Sequence, residues 1–306
     1  MSEDSLPPTH SIEDMKRIAI LFIILLATVG SVFAADKNGT GTTTEHTLKH
    51  KGVEYTYYLY RPQNLKEDAP LMVVFHGYRS RQIPSVGYGL QPLADREGFA
   101  ICYPRGPKDS YGNHCWKVGY KALIAELEPR DDVGFVVRLV KHLKREYGFS
   151  EQNTFALGNS NGGALCYIIA ATAPDTFAAY ASVSGHIMEV TYRTLDAKKP
   201  VPFMEVHGTA DPLARWNGDP YNNDNRGADI AVPLAVSYFA TLNHCTHEQT
   251  EVLPIKKNKV IAHRYVGGDN GTEVWLYEIV GGKHNWGNDS MNTKEEIWKF
   301  FTKYMK

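Results

Sequence analysis

The sequence predicts an α/β fold: a mainly parallel sheet with helices on both faces. Short apolar strand patterns alternate with helical patterns through most of the chain. Leu71-Met72-Val73-Val74-Phe75 is apolar at every position, as befits a strand buried on both faces. Gly158-Asn159-Ser160-Asn161-Gly162 stands between an apolar run and a helical pattern, which marks a sharp strand-to-helix turn.

The elements follow in chain order. Met15-Lys16-Arg17 precedes an apolar run over 18–29, and Val32-Phe33-Ala34 closes it. A basic start, an apolar core and a small-residue end read as a secretory signal peptide over 1–34, with Met15 as a candidate start. The run falls short of the roughly 20 residues that span a bilayer, and a retained anchor is the alternative. Residues 35–45, rich in Gly and Thr, read as a flexible leader. That leaves 46–306 as one catalytic-sized domain, since no stretch rich in Pro, Gly or Ser divides it.

Tyr55-Thr56-Tyr57-Tyr58-Leu59-Tyr60 predicts a strand, ended by Arg61-Pro62. Residues 71–75 predict the next, and 98–103 a third with Pro104 as its stop. A loop over 105–120 carries Gly, Pro, Asn and aromatic residues. Asp131-Asp132 then opens a helix, because acidic residues favour a helix N-terminus. Residues 154–157 predict a strand, and the small apolar stretch 164–173 a helix packed closely on the sheet. Two strands are expected over 179–184 and 202–206, and a helix over 232–242 with Pro233 in its first turn. A late strand over 274–280 and a helix over 294–304 complete the chain.

Composition excludes some classes of function. The 306 residues are 43% hydrophobic with a formal net charge of −1, so no basic excess points to nucleic acid. With the signal removed, no membrane partner is expected either. Export implies an oxidising compartment, where the four cysteines can pair. Of the three possible connectivities, a Cys102–Cys115 bridge is preferred, joining a strand end to the next loop, while Cys166 reads as buried on a helix. His114-Cys115 and His244-Cys245-Thr246-His247 match no usual zinc spacing, so no metal is expected.

The glycine-flanked turn places Ser160 where a nucleophile would be exposed above a sheet edge, beside the free N–H groups of a helix start. A serine hydroxyl is weak alone and needs a histidine base, itself oriented by an acid. On such a turn the chain order is Ser, acid, His. Asp211 is the candidate acid, in Val206-His207-Gly208-Thr209-Ala210-Asp211-Pro212, just past a strand end. Asp219 and Asp224 lie in a polar, Asn-rich loop and are weaker candidates. His284 is the candidate base, in Gly281-Gly282-Lys283-His284-Asn285-Trp286-Gly287 after the last strand. His186 and His207 lie near other site loops but precede the acid. The N–H groups of Asn161 and Tyr78 are the candidate oxyanion donors. The bland alternative, a glycine-rich turn bearing a surface serine, does not account for an acid and a histidine following in order.

Phe75-His76-Gly77, Tyr103-Pro104, Cys115-Trp116, Asp131-Asp132-Val133-Gly134-Phe135, Gly158-Asn159-Ser160-Asn161-Gly162-Gly163, His207-Gly208-Thr209-Ala210-Asp211-Pro212 and Gly282-Lys283-His284-Asn285-Trp286 occur in that order. Together they resemble the secreted esterases grouped as polyhydroxybutyrate depolymerase-like and feruloyl esterase enzymes, over nearly all of the chain beyond residue 34. The resemblance implies an α/β-hydrolase fold, no cofactor, an ester substrate, and Ser160, Asp211 and His284 as a triad. Many relatives have cysteine where this chain has Tyr78, and Trp-Pro where it has Trp286-Gly287. The resemblance implies a feruloyl ester of xylan first, with acetyl-xylan and hydroxybutyrate oligomers or polyester as alternatives, and a secreted or periplasmic location. Trp116, Trp216 and Trp286, in the predicted site loops, are candidates to hold a phenolic or sugar ring. A non-catalytic carbohydrate-binding protein on the same fold is the alternative of another class.

Overall fold

Among the described residues, six parallel strands occupy the centre of a ten-stranded sheet, with antiparallel strands at both edges. The computed structural model describes residues 40–80, 88–254, 256–287 and 289–306. The expected signal peptide and residues 35–39 of the expected leader lie outside them. The strands are β1 (Thr42–His50), β2 (Val53–Arg61), β3 (Leu71–Phe75), β4 (Ala100–Arg105) and β5 (Thr154–Asn159). They continue as β6 (Ala179–Val183), β7 (Phe203–Gly208), β8 (His247–Val252), β9 (Val260–Val266) and β10 (Val274–Ile279). Their spatial order is β1-β2-β4-β3-β5-β6-β7-β10-β9-β8.

Among the described residues, five of the helices cover the sheet: α1 (Leu90–Glu97), α2 (Asp132–Tyr147), α3 (Asn161–Thr172), α4 (Val232–Leu242) and α5 (Thr293–Thr302). Successive strand residues point to opposite faces, and β3 illustrates the division. Leu71, Val73 and Phe75 join the apolar cluster beneath α2, α3 and α4. Met72 and Val74 join the cluster beneath α1 and α5. Every residue of β3 is therefore buried, as its unbroken apolar run requires.

The acidic pair at the start of α2 divides its work. Asp131 caps the helix by accepting from the Gly134 N–H at 2.9 Å. Asp132 is buried, and accepts from the Tyr55 hydroxyl and the Lys117 N–H, each at 2.7 Å. The second contact ties the loop before α2 to the helix start.

Three expectations are corrected, and β8 is among the strands that the sequence reading did not predict. The leader does not run to residue 45, because β1 begins at Thr42 and pairs with β2. Pro104 does not stop β4, which continues to Arg105. The β3 pairing ends at Cys102, so Pro104 faces a neighbour only on the β2 side, where a missing N–H is tolerated. β8 carries His-Glu-Gln-Thr-Glu-Val, exposed throughout, and is a strand because β9 supplies its partner. The four cysteines carry free thiols. Cys102 lies in the cluster beneath α2, and Cys115 in a separate one with Leu123 and Leu127, so the expected bridge does not form.

Candidate active site

The turn at Ser160 is as sharp as its glycines suggest. Ser160 has φ 54° and ψ −117°, a left-handed conformation that is costly for a side-chain-bearing residue. Its N–H is held by the Val183 carbonyl at 2.8 Å. Only hydrogen fits at the flanking positions. A Cβ on Gly158 would lie 2.1 Å from the Gly162 carbonyl oxygen, and one on Gly162 would lie 2.2 Å from that of Phe75.

Two loops at the carboxyl edge of the sheet bring the other expected groups to this serine. Asp211 follows β7, and its two oxygens have separate tasks. Oδ1 accepts from the Leu213 and Ala214 N–H groups at 2.8 and 2.9 Å. Oδ2 accepts from His284 Nδ1 at 2.7 Å. Burial pushes this carboxyl upward, but the His284 contact and the Ala214 N–H outweigh it and hold Asp211 below the usual aspartate range. A carboxylate that only accepts fixes the hydrogen on Nδ1 of His284. His284 Nε2 is then an acceptor, 3.0 Å from Ser160 Oγ. Ser160, His284 and Asp211 thus form one continuous hydrogen-bonded line.

The second loop edge follows β3. A Cβ on Gly77 would lie 3.3 Å from Ser160 Cβ, so the Gly77–Tyr78 peptide rests directly against the serine. His76 orients that peptide. Its Nδ1 donates to the Gly77 carbonyl at 2.7 Å, and its Nε2 accepts from the Gly106 N–H at 2.9 Å. In a trans peptide the N–H points opposite the carbonyl. Pulling the Gly77 carbonyl toward His76 therefore turns the Tyr78 N–H the other way. Burial drives the His76 imidazole down to about 4, which keeps it neutral. Asn161, the first residue of α3, is fully buried, and its side chain is bound to the main chain of Trp116.

The cleft at Ser160 has a volume of about 670 Å³. Tyr78, Tyr111 and Tyr120 supply its aromatic surface, and Arg79, Asp224, Arg226, His186 and His284 its titratable groups. The three tryptophans expected here do not line it. Trp116 is fully buried against Phe75 and His76. Trp286 stacks on Tyr88 at 4.3 Å within the cluster beneath α1 and α5. Trp216 packs half-buried on the opposite cluster. Each apolar ring was drawn into a core rather than left on the surface.

Tyr111 replaces them at the mouth. It is 69% exposed, at the tip of a short loop that is closely fastened. Asp109 accepts from the Tyr111 and Asn113 N–H groups at 3.0 and 2.8 Å, and from the Tyr78 hydroxyl at 2.7 Å. Tyr111 and Tyr120 carry no distinguishing sequence signal beyond lying in the loop over 105–120, whereas His76 stands in the Phe75-His76-Gly77 motif. Among the described residues no group of three or more His, Cys, Asp or Glu gathers to hold a metal ion. His114 instead donates to the Gly106 carbonyl at 2.6 Å, and His244 meets Asp269 at 2.7 Å.

Comparison with known proteins adds a lineage to this geometry. Residues 53–218, more than half of the chain, match the profile of the family described as esterase PHB depolymerase. A bifunctional acetylxylan esterase/xylanase of Neocallimastix patriciarum is 27% identical over 169 residues, covering 55% of this chain and 23% of that protein. An acetylxylan esterase of Coprinopsis cinerea is 32% identical over 130 residues, covering 42% and 34%. A feruloyl esterase B of Neurospora crassa is 29% identical over 136 residues, covering 42% and 43%. The match therefore spans less than half the length of each of these relatives. Among solved structures, the acetyl xylan esterase of Aspergillus awamori aligns with a TM-score of 0.58 at 18% identity, over 84% of this chain and 98% of that one. An S-formylglutathione hydrolase of Agrobacterium tumefaciens aligns with a TM-score of 0.59 at 12% identity, over 90% and 99%. The fold is that of the α/β-hydrolases.

Proposed function

Since this chain belongs to the esterase PHB depolymerase family, we propose that it is a serine carboxylic-ester hydrolase with Ser160 as nucleophile. The observation that carries this reading is the unbroken line from Ser160 Oγ through His284 to Asp211, at 3.0 and 2.7 Å. His284 Nε2 takes the Ser160 proton as Oγ attacks the ester carbonyl. The negative charge that develops on the carbonyl oxygen faces the N–H groups of Tyr78 and Asn161. Collapse of the intermediate breaks the bond to the alcohol, which leaves with the proton from His284. A water then gives its proton to the same imidazole as it attacks the acyl-serine, and collapse returns that proton to Ser160 Oγ and releases the acid. Apart from that water, every catalytic group in the cycle comes from the chain.

The substrate we propose is an acyl ester on a plant cell-wall polysaccharide, with a feruloyl ester of xylan first. The tyrosine-lined cleft and the exposed ring of Tyr111 support a substrate with flat rings. Acetylated xylan is the second reading, favoured by the acetylxylan esterases among the relatives. The pattern over residues 15–34 supports export to a secreted or periplasmic location.

Ser160→Ala, assayed on methyl ferulate, acetylated xylan and hydroxybutyrate oligomers, tests both levels. The variant should lose several orders of magnitude in kcat with its melting temperature preserved. Unchanged turnover would remove Ser160 as nucleophile. Wild-type preference for the oligomers would remove the polysaccharide ester as substrate.

A further inference from the structure

We infer that His207, held by Glu205 with a proton on both ring nitrogens, is a positioning residue that presents a positive charge to Asp211 and so sets the basicity of His284. The inference rests on the triad proposed above and extends it one step behind the acid.

Glu205 and His207 are two apart on β7, so their side chains share a face, and both are fully buried. Glu205 Oε1 lies 2.9 Å from His207 Nδ1 and accepts from the Gly185 N–H at 3.2 Å. Its Oε2 accepts from the Tyr167 hydroxyl at 3.0 Å. His207 Nε2 lies 2.8 Å from the Ala214 carbonyl oxygen and 3.5 Å from Asp211 Oδ2. A carbonyl only accepts, so Nε2 must carry hydrogen. Burial raises the Glu205 carboxyl, while the His207 contact and the Tyr167 hydroxyl oppose it and favour the anion, which leaves Nδ1 to donate as well. Burial opposes the cation on His207, but the bond and charge of Glu205 outweigh it and hold the imidazole above its ordinary range.

The surroundings do not supply a competing explanation. Asp211 and Ala214 face His207 from the loop after β7, together with the Trp216 ring at 6.2 Å. His186, in the loop after β6, is held neutral: burial drives its imidazole down to about 3, and Arg226, His207 and His284 push in the same direction. The electrostatic partners of His207 are therefore Glu205 on its own strand and Asp211 in front of it.

Two consequences follow. Ala214 closes a ring: its carbonyl takes the His207 hydrogen, while its N–H donates to Asp211 Oδ1. His207 thereby anchors the loop that holds the acid. The same Asp211 Oδ2 that receives the His284 hydrogen at 2.7 Å faces the His207 cation at 3.5 Å. The two imidazole nitrogens are then no more than about 6 Å apart, within the range at which one charge moves the titration of another. A cation there offsets part of the Asp211 charge and lowers the affinity of His284 for a proton.

The test uses His207→Gln and Glu205→Gln in the full chain. The rate of Ser160 labelling by a fluorophosphonate is followed against pH, together with kcat/KM for p-nitrophenyl acetate. In His207→Gln the acid limb of both profiles should move up by about one pH unit. Glu205→Gln, close in shape to the parent, should move it in the same direction, and serves if the first variant does not fold. Nitrogen-15 NMR of the wild-type histidines should find both His207 nitrogens protonated at pH 7. An unmoved acid limb in a folded variant, or a singly protonated His207, overturns the proposal while Ser160 labelling stands. A wild type that never labels at Ser160 overturns the nucleophile reading instead, and the NMR result on His207 is then read on its own.

Discussion

Trp116 and Asn161 hold one another through two hydrogen bonds, the Trp116 N–H to Asn161 Oδ1 at 2.7 Å and Asn161 Nδ2 to the Trp116 carbonyl at 3.2 Å. The pairing fixes the first turn of α3 against the loop before it, and with it the N–H of Asn161 beside the serine. Trp116 therefore serves the site from inside the core, through its backbone. Asn161→Ala keeps the backbone donor but frees the turn. Its kcat should fall about tenfold or more, with KM little changed, if the Asn161 N–H is the oxyanion donor proposed above, which acts in the transition state. Steady-state kinetics on p-nitrophenyl acetate check this, and an unchanged kcat would show that the pairing is only structural.

Asp211→Asn would preserve the shape of the loop and reverse the choice of tautomer on His284. An amide can donate to Nδ1, which moves the hydrogen to Nε2 and removes the acceptor facing Ser160. A loss of about 10³- to 10⁴-fold in kcat is expected, with little change in melting temperature. Activity within tenfold of wild type would point to Asp219 or Asp224 as the acid.

His76 gives the fold a defined pH dependence. Burial lowers its imidazole to about 4, against about 6.5 in an unfolded chain. Between these values the unfolded chain binds a proton that the folded chain refuses. The contribution of His76, about 3 kcal/mol, is present in full above pH 6.5 and declines as pH falls toward 4. Melting temperature should drop across that interval, and more steeply in wild type than in His76→Asn, which cannot titrate. Equal slopes in the two proteins would remove His76 as the titrating group.

Tyr111 should distinguish polymer from small ester. Its ring is exposed yet its loop is fastened through Asp109, so little order has to be gained on binding. Tyr111→Ala should lower kcat/KM on acetylated or feruloylated xylan by about fivefold or more, and leave p-nitrophenyl acetate nearly unaffected. An equal loss on both substrates would place Tyr111 in the support of the site rather than in contact with the polysaccharide.

The sequence by itself determined the strands that are buried on both faces, because a continuous apolar run such as Leu71-Met72-Val73-Val74-Phe75 has few other resting places. It also determined the sharp turn at Ser160, because glycines at 158 and 162 mark where two backbones must nearly touch. Chain order then pointed to Asp211 and His284, which the fold brings into one hydrogen-bonded line. Only the tertiary structure decided the rest. A polar segment such as β8 becomes a strand when β9 lies beside it. The free thiols of Cys102 and Cys115 follow from their placement in separate clusters. The tryptophans at 116, 216 and 286 pack into apolar clusters because burial of large rings dominates over their position in a loop. The cleft is left to tyrosines, whose hydroxyls find partners such as Asp109 at its edge. His76 and His207, two of the histidines that chain order passed over, stand behind the site. Their roles depend on which carbonyl, carboxylate or N–H the folded chain sets within 3 Å of each nitrogen, a distance that spacing along the chain does not encode.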